Sequence, residues 1–133
     1  MSVERPIYLD SSAIVKLVVR EAESAALIRY LRRRRPLVSS ALARTEVARS
    51  LLPLGVAAGQ RAEDVLARIE LIRLNDRVLT TAGAILPPDV RSLDAIHLAT
   101  AKLLGPELKR LVTYDARMAS AARALGLVVV GPA

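Results

Sequence analysis

Five short apolar runs, none longer than five residues, punctuate the chain at residues 6–10, 37–40, 77–80, 110–113 and 127–130, with helix-length segments between most of them. A strand that is apolar on both faces needs cover on both sides, and crossover helices between parallel strands supply it. The pattern predicts an α/β fold: a five-stranded parallel sheet with helices on both faces. Helices are expected over residues 11–19, 21–34, 41–52, 59–74, 92–104 and 116–125. Ala26, Leu27, Tyr30 and Leu31 share one face of the second, which Pro36 stops. Ser92 is a candidate N-cap for the helix that ends at Gly105-Pro106, and Gly126 closes the last. No repeat or linker divides the 133 residues, the length of one domain, so 1–133 reads as a single unit.

The core must be aliphatic, because the chain has no Phe or Trp and only Tyr8, Tyr30 and Tyr114 as aromatics. A stacking platform for single-stranded bases is thereby disfavoured. The absence of Cys excludes disulfides, thiolate metal sites and Cys nucleophiles, and suits a reducing cytoplasm. Glu4, Arg5 and Asp10 interrupt the start of the chain before a signal-length apolar run develops, and no uncharged apolar stretch approaches the ~18 residues of a membrane span. A cytoplasmic protein without a membrane partner is expected. The formal charge of +7, carried by 17 Arg and 3 Lys against 13 acids, favours polyanions, with nucleic acid the leading partner class. The excess of arginine over lysine suits forked phosphate contacts and is equally what a GC-rich genome produces.

Most acids lie among other charges, but four do not. Asp10 follows Ile7, Tyr8 and Leu9, and Asp115 follows Leu111, Val112, Thr113 and Tyr114, so both end strands at the carboxyl edge where open α/β sheets place ligands. Asp94 sits in a helix that is small or apolar on nearly every side until Lys102, and Glu46 flanks the stripe of Ala43, Val47, Leu51 and Leu54. Taken singly, Asp10 and Asp115 read as helix N-caps and Asp94 as a first-turn acid, while Glu46 could pair with Arg44 or Arg49. Taken together, four acids converging on one site would repel unless a cation neutralised them. A hard divalent ion such as Mg²⁺ or Mn²⁺ takes oxygen ligands and suits phosphodiester hydrolysis. His97, three residues after Asp94, reads as a packed or hydrogen-bonded histidine more readily than as a ligand of such an ion. The run Arg32 to Arg35 reads as a solvated helix end.

Tyr-Leu-Asp-Ser-Ser-Ala at 8–13, Glu46 after Ala-Leu-Ala-Arg-Thr, Leu-Asp-Ala-Ile-His-Leu-Ala-Thr-Ala at 93–101 and Leu-Val-Thr-Tyr-Asp-Ala-Arg-Met at 111–118 together resemble a PIN-domain ribonuclease of the VapC toxin type. The likeness spans essentially the whole chain and rests on the ordered set rather than on any one motif. It implies a three-layer α/β/α sandwich and Mg²⁺- or Mn²⁺-dependent hydrolysis of RNA, with tRNA, rRNA or mRNA as substrate. It also implies catalytic roles for Asp10, Glu46, Asp94 and Asp115, with Asp10, Asp94 and Asp115 as metal ligands and the hydroxyls of Ser12 and Thr113 in support. A homodimer silenced by a VapB-type antitoxin follows from the same resemblance. Three other readings stay open at this level: a PIN-type processing nuclease without an antitoxin, a basic RNA-binding module whose acids are only caps, and a receiver-like signalling domain. The last fits poorly, because the strand at 127–130 runs into Gly131 without the Lys a receiver would carry there.

Overall fold

The computed structural model describes residues 5–133; Glu4, one of the charges noted above, lies outside them. Five strands form one sheet, every pairing in it parallel: β1 (Ile7–Leu9), β2 (Leu37–Ser40), β3 (Glu70–Ile72), β4 (Arg110–Val112) and β5 (Val129–Val130), in the order β3-β2-β1-β4-β5. The helices are α1 (Ser11–Val18), α2 (Ser24–Leu31), α3 (Leu42–Leu51), α4 (Val56–Leu66), α5 (Asp76–Gly83), α6 (Ser92–Leu103) and α7 (Ala116–Ala124).

Alternation along the strands divides the interior into two cores. Ile7, Leu9, Leu37 and Val112 face one side and pack with Ile14 of α1, Leu27 of α2, Val47 of α3 and Leu66 of α4. Tyr8, Val38 and Leu111 face the other and pack with Val78 of α5, Leu98 of α6 and Met118 of α7. Burying both faces makes the three-layer sandwich expected from the apolar runs.

The strand order reverses beside β1, with β2 and β3 on one flank and β4 and β5 on the other. A crevice therefore opens beyond the carboxyl ends of β1 and β4, the place where open parallel sheets bind ligands. Ile7 is in register with Arg110 and Leu9 with Val112, so Asp10 and Thr113 leave the sheet side by side. This order also differs from the 2-1-3-4-5 arrangement of receiver domains, which sets that reading aside.

Several elements differ from the sequence expectation. Residues 77–80 are helical rather than a strand, because the Asn75 side chain accepts from the Val78 amide at 2.9 Å and starts α5, with Asp76 in its first turn. The third strand lies earlier, at Glu70–Ile72, and α4 stops at Leu66 instead of running to residue 74. Ser92 is the first residue of α6 and not its cap; Arg91 holds the cap position, and its side chain makes no capping bond to the helix amides.

Leu98 is fully buried and anchors α6, which carries Asp94, against the sheet. Leu98→Ala is expected to cost about 3 kcal/mol through lost contacts and the cavity left behind. Urea denaturation checks this, and a loss below about 1 kcal/mol would contradict the packing described.

Candidate functional site

Asp10 directly follows β1 and caps α1: its Oδ1 accepts from the Ala13 amide at 3.0 Å and from Ser12 Oγ at 2.6 Å. Its Oδ2 accepts from Thr113 Oγ1, at the end of β4. Asp115 caps α7 in the same manner, Oδ1 accepting from the Arg117 amide at 2.8 Å and the Met118 amide at 3.1 Å. Its Oδ2 accepts from Arg91 Nη2 at 3.1 Å. The capping reading of both acids is therefore correct, and it does not compete with a site. In each residue one oxygen caps the start of the helix while the other is held at the sheet's edge.

Asp94 lies in the first turn of α6; its Oδ2 accepts from Arg91 Nε at 2.9 Å, and Arg91 Nη2 stands 2.9 Å from the same oxygen as an ion pair. Arg91 thus links Asp94 to Asp115, with its own side chain 57% exposed. Glu46 on α3 bonds neither Arg44 nor Arg49. Its Oε1 accepts from Ser11 Oγ at 2.6 Å and lies 2.6 Å from His97 Nε2, a partner 51 positions away in sequence.

Asp10, Ser11, Ser12, Glu46, Arg91, Asp94, His97 and Asp115 all line one concavity of about 330 Å³. All four acids singled out from sequence border it. A larger concavity of about 1150 Å³ between α3 and α4, lined in part by Leu51, Leu52, Val56 and Leu66, contains none of them.

Burial pushes the Asp10 carboxyl above the ordinary carboxylate range, and the hydroxyls of Ser12 and Thr113 with the Ala13 amide offset this only in part. No Lys or Arg pairs with it among the described residues. For Glu46, burial also acts upward, but the hydrogen bonds from His97 and Ser11 outweigh it and hold the carboxylate below its usual value. Burial pushes the Tyr8 hydroxyl strongly upward, so it stays protonated.

Among the described residues, no three acidic or imidazole side chains are drawn together into a ready-made metal cage. The carboxylates share a concavity, each engaged by a protein partner: Arg91 bridges Asp94 and Asp115, and hydroxyls take Asp10. The donor chemistry nevertheless fits a hard divalent cation. It is all oxygen, a guanidinium already spans two of the acids as a cation would, and Asp10 is a buried anion lacking a positive partner. An ion that keeps most of its waters needs only one or two direct carboxylates.

The sequence reading missed Arg91, Ser11 and Tyr8. Arg91 was legible as an i,i+3 partner of Asp94; Ser11 was legible only as a neighbour of Asp10, and nothing local marked Tyr8. Ser12 and Thr113, expected as supporting hydroxyls, both donate to the Asp10 carboxylate. Arg34 and Arg35 bond the Tyr30 and Leu31 carbonyls at the end of α2, as the helix-end reading of that run anticipates. Tyr114 packs under Lys16 Nζ, 4.9 Å from its ring centre, away from the concavity.

An acid whose folded-state pKa is raised is tolerated at low pH and costs stability as pH rises through that value. Asp10→Asn keeps the capping oxygen and removes the buried charge. Without added metal, this variant is expected to melt above wild type at pH 7, the gap closing as pH falls to the ordinary carboxyl value of 3.8 and below. A wild type more stable than the variant at pH 7 would contradict the uncompensated charge.

Residues 7–124 match the family model described as PIN domain. The chain is 60% identical over 126 residues to Ribonuclease VapC46 of Mycobacterium tuberculosis, covering 95% of this chain and 97% of that protein. Among solved structures, it resembles M. tuberculosis VapC20, described as a Sarcin-Ricin loop cleaving toxin, with a TM-score of 0.77 at 18% identity, over 95% of this chain and 99% of that one. A toxin-antitoxin complex from Klebsiella pneumoniae matches with a TM-score of 0.73 at 21% identity, over 96% and 98% of the two chains.

Proposed function

The chain belongs to the PIN-domain family of VapC-type ribonucleases, and from that premise we propose that it is the toxin of a toxin–antitoxin pair, an endoribonuclease that cuts RNA at the concavity bordered by Asp10, Glu46, Asp94 and Asp115. That all four acids line one crevice at the sheet's carboxyl edge is the observation that carries the reading. One domain spanning residues 1–133 holds the whole site. A VapB-type antitoxin and a homodimeric state accompany it as the usual setting of this family. No helix among the described residues is long and apolar enough to cross a membrane.

Enzymes of this family are generally dependent on a divalent metal, and Mg²⁺ or Mn²⁺ is the ion proposed here. Asp10, Asp94 and Asp115 would hold it, some of them through water. The chemistry it supplies when bound is Lewis-acid polarisation of a phosphodiester and acidification of a water. Asp10 Oδ1 is filled by two hydrogen bonds, whereas Oδ2 accepts one and keeps a lone pair. Ser12 and Thr113 hold that carboxylate at a fixed angle. Asp94 and Asp115 become available as Arg91 releases them, and the freed guanidinium is suited to an RNA phosphate in a forked contact. Glu46, kept ionised by its two donors, orients the attacking water and takes its proton. The +7 net charge raises the local concentration of RNA around this acidic crevice.

Glu46→Gln and Asp94→Asn are each expected to lower cleavage of purified RNA by about a hundredfold or more while leaving RNA binding intact. EDTA should stop wild-type cleavage, with Mg²⁺ or Mn²⁺ restoring it. Wild-type rates from both folded variants would remove the nuclease reading.

A further inference from the structure

His97 is the single histidine of the chain, sits 1% exposed within α6, and is the one buried titratable group at the crevice without a role in the chemistry above. Its ring meets Tyr8 edge to face, with centroids 5.8 Å apart and planes at 85°. Tyr8 Oη lies 2.7 Å from His97 Nδ1, and His97 Nε2 lies 2.6 Å from Glu46 Oε1. We propose that Tyr8 and His97 form a buried relay that positions Glu46: Tyr8 Oη–H donates to Nδ1, the ring proton is thereby kept on Nε2, and Nε2–H donates to Glu46 Oε1.

The direction follows from what each atom can offer. An ionised carboxylate is an acceptor only, so a contact of 2.6 Å requires the hydrogen on Nε2; a bare Nε2 would set two lone pairs against each other. A neutral ring then presents a lone pair at Nδ1, and the tyrosine hydroxyl, protonated at neutral pH, is the donor that meets it. Both ring nitrogens are satisfied in a buried site, as the cost of leaving either unpaired demands.

Ser11 Oγ donates to the same Oε1 and lies 3.3 Å from His97 Nε2. Two donors on one oxygen fix the carboxylate plane and leave Oε2 with no hydrogen bond among the described residues. That is the oxygen left for a water. Tyr8 belongs to β1, Ser11 to α1, Glu46 to α3 and His97 to α6, so the relay ties four elements at the site. His97 is a positioning residue, acting on the reaction only through Glu46; this consequence for catalysis rests on the nuclease reading, whereas the relay itself does not.

Because the chain has one histidine, ¹⁵N labelling reads a single imidazole. The wild type at neutral pH is expected to show a pyridine-type Nδ1 and a pyrrole-type Nε2. In Tyr8→Phe, which keeps the ring and removes only the hydroxyl, the Nδ1 resonance should move toward that of an unbonded pyridine-type nitrogen. His97→Leu should lose about tenfold to a hundredfold in kcat for RNA with little change in KM, the size of effect a displaced catalytic group produces. His97→Gln offers an amide N–H within reach of Glu46 and should recover most of that loss. A pyrrole-type Nδ1 in the wild type, an Nδ1 resonance indifferent to Tyr8→Phe, or wild-type kcat in folded His97→Leu would each overturn the relay. If His97→Leu does not fold, the two ¹⁵N measurements decide. A wild type that shows the expected tautomer yet cuts no RNA would support the relay and reject the nuclease reading alone.

Discussion

The two oxygens of one carboxylate do different work at Asp10 and Asp115, and the site depends on that division. An N-cap needs a single acceptor for the unpaired amides of the first helical turn. Supplying it with Oδ1 fixes the side chain and leaves Oδ2 at the rim of the sheet. Parallel pairing of β1 with β4 then brings the two rims together, since Leu9 is in register with Val112 and each acid follows within three residues. At Asp10 and Asp115 the helix start and the acidic crevice are built from the same side chain.

Such a site works against stability. Asp10 is a buried anion partnered by hydroxyls and an amide, with no cationic side chain among the described residues. A buried, unpaired carboxylate favours its neutral form, and one that must stay charged favours a cation beside it. Arg91 plays that part for Asp94 and Asp115, but with an exposed side chain rather than a buried clamp. An exposed ion pair of this kind contributes little to folding. It can be displaced at small cost, which suits the release of Asp94 and Asp115 proposed above.

Local chemistry made much of this legible from sequence. An acid at the end of an apolar run, followed by small residues and a helix, marks both a cap and a carboxyl-edge site, and Asp10 and Asp115 were found on that signal. Asp94 stood out as an acid on a helix with few other charges. Glu46 was singled out too, with a pairing to Arg44 or Arg49, its neighbours in sequence, as the alternative to a site role; the structure pairs it with neither. The true partner, His97, is a contact created by the packing of α3 beside α6, and no spacing along the chain encodes it. The error at residues 77–80 has the opposite origin. The strand reading rests on the β-prone Val-Leu-Thr run alone and leaves out the Asn75 side chain, whose cap on the Val78 amide starts α5.

Anomalous diffraction from crystals grown with Mn²⁺ tests the shared-ion site most directly. A peak is expected in the crevice, within coordination distance of Asp10 Oδ2 and of Asp94 or Asp115, with the Arg91 side chain turned away from both. No peak at saturating Mn²⁺, with Arg91 still bridging Asp94 and Asp115, would mean that these acids serve only to start their helices.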